Sequence, residues 1–296
     1  MSESPAERLR PYRERVERAL REHLSPEGEE GPDAIRRAMA YSLFAGGKRL
    51  RPILAILAHE AAGGSASGIE AIAAGIEMIH TYSLIHDDLP CMDDDDLRRG
   101  VPTSHVVHGE ALALLAGDAL LTRGLTLLAE AEGVPAERRL RIVSLVGRAA
   151  GESGMIGGQV LDLAAEERPV TRIDEVRTIH ERKTGALLAA SVLAGAIAAG
   201  CPLEEEKGFE TYGRRLGLAF QVADDLLDAV GDAGAMGKRA GKDAARGKAT
   251  YPGLVGVARA RAIAEELARE AAAALPRDTK DGLLAAVARF AVDRAG

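Results

Sequence analysis

Two groups of acidic residues dominate the chemistry available to this sequence. In SLIHDDLPCMDDDDLRRG, Asp87, Asp88, Asp93, Asp94, Asp95 and Asp96 fall directly behind an apolar run that starts near Ile69. So many carboxylates at a helix C-terminus repel one another and oppose the macrodipole, so a cation must compensate. In LGLAFQVADDLLDAV, Asp224 and Asp228 lie four residues apart on one helical face, with Asp225 beside them. Leu216, Leu218, Phe220, Val222, Leu226 and Leu227 surround these acids, so the helix is expected to be buried. Buried carboxylates are costly without ionic partners or a metal. Oxygen donors in two groups, with no His or Cys at ligand spacing, select Mg²⁺ over zinc or iron. Magnesium keeps waters and bridges to substrate phosphates. A calcium loop is excluded, because Asp93 to Asp96 lack its alternating spacing, central Gly and closing Glu. On a regular helix Asp87 and Asp93 would point about 120° apart. Pro90 is expected to break the helix after Asp87 and Asp88 and let Asp93 fold back toward the same ion.

A diphosphate on such an ion needs cationic donors. GGKRLRP supplies Lys48, Arg49 and Arg51 behind two glycines that allow close backbone approach, and Arg98 and Arg99 directly follow the aspartates. Lys183 stands in HERKTGALL, and Lys238, Lys242 and Lys248 in the Gly/Lys-rich loop between Gly231 and Pro252. The place of that loop, just after DDLLD, suits a lid over bound phosphates. GxxxxGK[ST] and GxGxxG are both missing, so metal and side chains must hold any diphosphate.

The elements that position these groups read as helices. Ala, Leu, Glu and Arg recur at helical spacing almost throughout, and alternating strand patterns are scarce, so the expected class is all-α. Gly and Pro clusters punctuate about ten helices. No break has linker composition, so one domain over residues 1–296 is expected. DDLPCMD and DDLLD form a coarse echo that could face each other across one cavity. The charge-free stretch from Thr184 to Leu203 is mostly Ala and Gly and ends near Pro202, so it reads as a buried core helix and not a membrane span.

Composition excludes several classes. With 38 basic and 45 acidic residues the net charge is −7, and aromatics are 3% with no Trp, so neither a phosphate-backbone footprint nor a base-stacking platform is expected. Cys91 and Cys201 stand far apart without a CxxC, which argues against disulfides and zinc and for a reducing compartment. Neither terminus carries a signal peptide or prenylation box, so a cytoplasmic location is expected.

GGKRLRP, HDDLPCMDDDDLRRG, GGQVLDL, KTGALL, FQVADDLLD and GKATYP stand here in the order found in the trans-isoprenyl diphosphate synthases, the polyprenyl synthetase family, which the chain resembles over nearly its whole length. The resemblance implies a helical bundle around a deep cavity, a homodimer, and three Mg²⁺ ions that ionise an allylic diphosphate for head-to-tail attack by isopentenyl diphosphate. It implies Asp87, Asp93, Asp224 and Asp228 as metal ligands, supported by Asp88 and Asp225. Lys48, Arg51, His80 and Arg99 would grip isopentenyl diphosphate. Arg98, Lys183, Lys238 and Lys248 would grip the allylic diphosphate, and Thr184 and Gln221 would face the carbocation. The long first motif, with Pro90 and Cys91 inserted, resembles bacterial farnesyl and plant-type geranylgeranyl enzymes. Tyr82 followed by Ser83, about 7.5 Å before Asp87, resembles the farnesyl type, since an aromatic there can floor the cavity. Ser83 is the better aligned of the two with Asp87, so the phenol must reach sideways. A geranylgeranyl product is the alternative. Outside the family, the His86-Asp87 pair suggests an HD-type phosphohydrolase, and a non-catalytic subunit would be expected to lose metal ligands.

Overall fold

The computed structural model describes residues 5–25, 31–65, 67–166, 168, 170–230, 249–276, 279 and 282–293. Helices follow one another as α1 (Pro5–His23), α2 (Asp33–Leu43), α3 (Leu50–Ala61) and α4 (Ile69–Asp87). A two-stranded hairpin, β1 (Leu97–Arg98) and β2 (Val101–Pro102), leads to α5 (Ser104–His108), α6 (Glu110–Glu130), α7 (Ala136–Ala150) and α8 (Met155–Glu166). Then α9 (Ile173–His180) runs through a π turn (Glu181–Gly185) into α10 (Ala186–Ala199). The long α11 (Leu203–Val230), α12 (Tyr251–Val255), α13 (Val257–Ala274) and α14 (Leu283–Asp293) complete the described residues. The all-α expectation holds apart from the hairpin. The helices are more numerous than the breaks implied, because Gly109 (φ 85°) and Gly256 (φ 81°) each split off a five-residue helix from the longer one that follows.

Helix character sets position. On α7 only Ile142, Val146 and Ala150 are buried, one stripe at i, i+4, i+8, so this helix lies at the periphery. α4 and α10 are apolar on nearly every side and occupy the middle. α4 packs against α3 and α6, and α10 against α3, α7 and α11. Ile72, Ile76 and Ile79 of α4 are wholly buried, each contributing roughly 1.5–3 kcal/mol. The Thr184–Leu203 stretch is thus a core helix, as its composition implied. By length and composition Ile173–Ala199 and Glu110–Glu130 could each cross a membrane, but 72% of the first is buried inside the protein. A second apolar cluster joins the latter half of α11 to α9, α12 and α13. The two acidic segments therefore sit at helix ends braced by separate parts of the core.

Candidate active site

Pro90 acts as expected. α4 stops at Asp87, and the chain folds back so that the Asp93 N–H donates to the Asp87 carbonyl at 2.8 Å. Asp94 N–H reaches the Leu89 carbonyl and Asp95 N–H the Asp88 carbonyl, at 3.2 and 3.3 Å. Burial, reinforced by nearby Asp93 and Asp88, pushes the Asp87 carboxyl up to about 6, against the attraction of Lys183 and Arg98. Asp88 is spent otherwise. It is 3% exposed, and Arg98 donates to it through Nε (2.7 Å to Oδ2) and Nη2 (2.6 Å to Oδ1), a forked charge-assisted pair. Burial opposes the Arg98 charge, but the bonds from Asp88 outweigh it and hold the guanidinium above its ordinary range.

The hairpin that aims Arg98 turns at Arg99 and Gly100, both at positive φ (56° and 79°), as a two-residue hairpin requires. Arg98, the last residue of β1, reaches Asp88, while Arg99 in the turn reaches the Gly46 carbonyl. Gly46 (φ 89°) and Gly47 (φ 139°) let that backbone lie against the guanidinium, where a Cβ on Gly47 would stand 2.7 Å from Arg99 Nη1. Among the described residues other than glycine, positive φ occurs only at Arg49, Asp94 and Arg99, all in these loops, a concentration typical of functional sites.

Of the three cations in GGKRLRP, Arg49 turns inward. It is 3% exposed, bonded to Glu17 (2.8 Å), Glu77 (2.7 Å) and the Leu43 carbonyl, so it ties α1, α2 and α4 together and adds no charge to the cavity. This corrects the expectation from charge alone. Arg51 lies on the other side of α3, with Nη1 3.2 Å from His80 Nε2. Arginine only donates, so Nε2 accepts and the His80 proton sits on Nδ1, which is buried without a partner among the described residues. Burial and the surrounding Arg51, Arg99, Arg98 and Arg49 hold His80 well below its ordinary value, so it is neutral. Lys48 is exposed, its Nζ 5.9 Å from the Phe220 ring of α11.

The opposite wall comes from the π turn and α11. A π turn widens the helix locally and often marks a functional position. Here it carries Lys183 and Thr184. Lys183 Nζ bonds Asp162 of α8 at 2.7 Å, and Thr184 Oγ1 donates to Gln221 Oε1 at 2.7 Å. The fit with α8 is close, since a Cβ on Gly158 would lie 2.2 Å from the Lys183 nitrogen. On α11, Gln221, Asp224 and Asp228 share a half-buried face, and Asp224 is near enough to Arg51 to favour its charge. Asp225 points elsewhere. Its Oδ2 accepts from the Tyr251 N–H at 3.0 Å and lies 3.0 Å from His180 Nε2, beneath a stacked His180–Tyr251 pair.

Residues of α3, α4 with the loop after it, α6, α8 and the π turn enclose a cavity of about 490 Å³, and Asp93, Arg98, Arg99, Asp224 and Asp228 are not among those that line it. Asp87, Lys183, Thr184, Arg51 and His80 line it, and Tyr82, Ser83, Leu114, Met155, Ile156, Val160 and Leu163 extend it as a mostly apolar space. Tyr82 is 5% exposed with its hydroxyl unpartnered, packs edge-on to His86 at 5.6 Å, and is pushed up to about 12 by burial and Asp87. The structure thus gathers Asp87, Arg51, His80, Tyr82, Ser83, Lys183 and Thr184 around one cavity, with Gln221 bonded to its wall. It commits Asp88 to Arg98, and Asp225 to His180 and Tyr251. Lys238, Lys242 and Lys248 lie outside the described residues. Two lining or bracing side chains had not been singled out: Asp162, which holds Lys183, and Gln159, whose amide is buried without a partner in the cavity wall. Both stand in MIGGQVLDLAA, where an amide and an acid interrupt an apolar run and could have been noticed. Among the described residues no three His, Cys, Asp or Glu side chains converge as a ready-made metal cage.

The polyprenyl synthetase family profile matches residues 32–287. The farnesyl diphosphate synthase of Bacillus subtilis is 51% identical over 226 residues, 76% of each chain. The geranylgeranyl diphosphate synthase of Cyanophora paradoxa is 44% identical over 265 residues, 89% of this chain and 88% of that one. Among solved structures, an FPP/GFPP synthase from Zymomonas mobilis superposes with a TM-score of 0.84 at 36% identity, covering 97% of this chain and 99% of that one. A fold, an ordered set of motifs and a shared sequence over most of the length coincide, and the chain belongs to the polyprenyl synthetase family.

Proposed function

We propose that this short-chain prenyltransferase joins isopentenyl diphosphate head-to-tail to dimethylallyl and geranyl diphosphate and stops mainly at farnesyl diphosphate. The observation that carries the reading is the make-up of the cavity: one carboxyl, Asp87, with the cations Arg51 and Lys183, in a lining that is otherwise mostly apolar. The donor chemistry suits magnesium. Asp87 is a carboxyl that burial and Asp93 leave short of positive charge, and the donors are oxygens, which magnesium takes alongside waters and diphosphate oxygens. Asp87 and Asp93 at and after the end of α4, and Asp224 and Asp228 on α11, would hold the ions, three by family resemblance. Bound magnesium draws electron density toward the departing diphosphate and so eases cleavage of the allylic C–O bond.

The protein's own groups do the rest. Arg98, fixed by Asp88, and Lys183, fixed by Asp162, orient the allylic diphosphate, with Lys238 and Lys248 assigned to the same anion. Arg51, Arg99 and Lys48 take the diphosphate of isopentenyl diphosphate, and neutral His80 offers its unpartnered Nδ1–H to the same anion. Thr184 and Gln221 present oxygens toward the developing cation, while the apolar walls exclude water from it. Tyr82 closes the cavity behind a fifteen-carbon chain. A second copy of the chain is proposed to cover the face where Val106, Val107, Leu114 and Leu115 of α5 and α6 are 46–54% exposed, giving a homodimer in the cytosol.

The test is incubation with labelled isopentenyl diphosphate and dimethylallyl or geranyl diphosphate, with products identified by chromatography. A fifteen-carbon product is expected, and Tyr82→Ala should lengthen it; a twenty-carbon product from the unaltered enzyme would favour the geranylgeranyl reading. Phosphate release without a new C–C bond would favour the phosphohydrolase. His86 Nε2 is already bonded to the Leu114 carbonyl at 3.0 Å, which speaks against that alternative.

A further inference from the structure

Behind the π turn, on the side away from the cavity just described, a trough of about 770 Å³ runs between α7 and α11 over the surface of α10. Its floor is a helical stripe at i, i+3, i+4 and i+7: Ala186, Ala189, Ala190 and Leu193. The directions of the walls follow from contacts. Arg138 Nη1 donates to the Ala198 carbonyl at 3.3 Å, so the start of α7 meets the end of α10 and Arg148 lies at the π-turn end. α11 is antiparallel to α10 as well, with Gly213 against Ala189 and Gly217 against Gly185.

The trough therefore has an apolar floor flanked by charge, and its two ends differ in how that charge is balanced. At the π-turn end stand Arg148, Arg177 and Arg182, beside Ser153 and the acid Glu181. Glu181 is bonded to Arg177 at 2.8 Å. Arg148 donates only to the neutral Ser144 hydroxyl, at 2.6 Å, and Arg182 makes no ion pair with a described residue, so two guanidiniums there lack a counter-charge. Toward the far end, Leu145 and Leu193 leave apolar surface half-exposed. Two further arginines along the α11 wall are neutralised, Arg214 by Glu210 and Arg215 by Glu270.

We propose that this trough is a second ligand site, which takes a single-chain amphiphile with a phosphate head: the phosphate between Arg148 and Arg182, the chain along the α10 floor. The seven helical steps from Ala186 to Leu193 give that floor about 10 Å, enough for a short apolar chain. Gly185 and Ala186 of the floor directly follow Lys183 and Thr184 in the chain, so an occupant fixes the π turn that carries two cavity residues. The coupling to turnover rests on the proposed function; the binding does not.

Calorimetric titration of the metal-free protein with dodecyl phosphate tests the binding, with dodecyl maltoside as the neutral-head control. Two binding events are expected, one in each cavity, and the double variant Arg148→Glu/Arg182→Glu should weaken one of them tenfold or more. With magnesium and saturating substrates, dodecyl phosphate should lower kcat at least twofold in the unaltered enzyme but not in the double variant, whose basal turnover stays unchanged. Equal binding by the variant, equal binding of the maltoside, or inhibition fully relieved by substrate overturns the proposal. Failure of turnover with intact, arginine-dependent binding would instead overturn only the proposed function. Farnesyl diphosphate competing at the trough would make the natural chain isoprenoid; absence of competition would make it a straight-chain lipid phosphate.

Discussion

The end of α4 and the latter half of α11 each carry two adjacent aspartates, and each divides its pair in the same way. Asp87 lines the cavity while its neighbour Asp88 grips Arg98; Asp224 shares a face with Gln221 while its neighbour Asp225 anchors His180 and the Tyr251 N–H. What differs is the partner of the inner residue. Asp88 holds a permanent cation through two nitrogens and thereby positions a group for anion binding. Asp225 holds an imidazole and a backbone amide and thereby secures the start of α12. One pair orients charge; the other orients chain. Doubling an aspartate lets each helix tie one acid into its scaffold while the neighbouring acid points another way.

The largest expected effect concerns the outer members. Asp87→Asn or Asp224→Asn should cut turnover by roughly 1,000-fold while leaving helicity intact in circular dichroism, and near-normal turnover would end the metal-ligand assignment. The inner members should behave otherwise. Asp88→Ala strands a largely buried guanidinium and should cost about 3–5 kcal/mol in denaturant unfolding, with Arg98→Ala comparable and the double variant milder than the sum. Additive losses would show that the pair is not an energetic unit. Asp225→Ala should cost less, roughly 1–3 kcal/mol, because a neutral amide and an imidazole lose less than a guanidinium does, and hydrogen exchange at the Tyr251 amide should rise.

The pH dependence sharpens the contrast from the other side. Burial and neighbouring acids raise the folded carboxyl of Asp87 to about 6, above its ordinary 3.8. A raised value means that its contribution to stability is fully present below pH 4 and lost as pH rises through 6. Metal-free protein should therefore lose up to roughly 1–3 kcal/mol from this group between pH 4 and 7, and Asp87→Asn should remove that part of the slope. Magnesium affinity should show the opposite trend, weakening below pH 6 as protons compete for the same oxygens. An unchanged thermal-melting slope in Asp87→Asn would mean that the carboxyl is better compensated than its surroundings suggest. The smallest effect is expected at Asp162→Asn, which keeps a hydrogen bond to Lys183 but drops the charge: KM for the allylic substrate should rise several-fold with little change in stability.

Much of this site could be read along the chain. The acid pairs, the Pro90 break and the cations on either side were evident from residue type and spacing, because helix periodicity and proline sterics act over a few residues. Arg49 and Arg51 show the limit. They differ by two positions in an otherwise uniform basic run, yet one is buried on Glu77 and Glu17 and the other faces His80. Their separation follows from the left-handed backbone at Arg49 (φ 52°), which local composition did not reveal. Gln159 and Asp162 stand in the GGQVLDL motif, but no role follows from it alone, because each is a lone polar residue in an apolar helix whose meaning comes from a partner or cavity wall contributed by another element.

Sequence by itself therefore determined the helical class, the buried character of α10, and the presence of two acid-rich helix segments with enough cations to answer them. Which aspartate of each adjacent pair is tied into the scaffold was decided only by tertiary structure. Neighbours on a helix point about 100° apart, so one of the two must turn away, and the inward direction is set by Arg98, 10 residues from Asp88, and by His180, 45 residues from Asp225. Those partners arrive through a hairpin and a separate helix, and no local periodicity encodes where they come to rest.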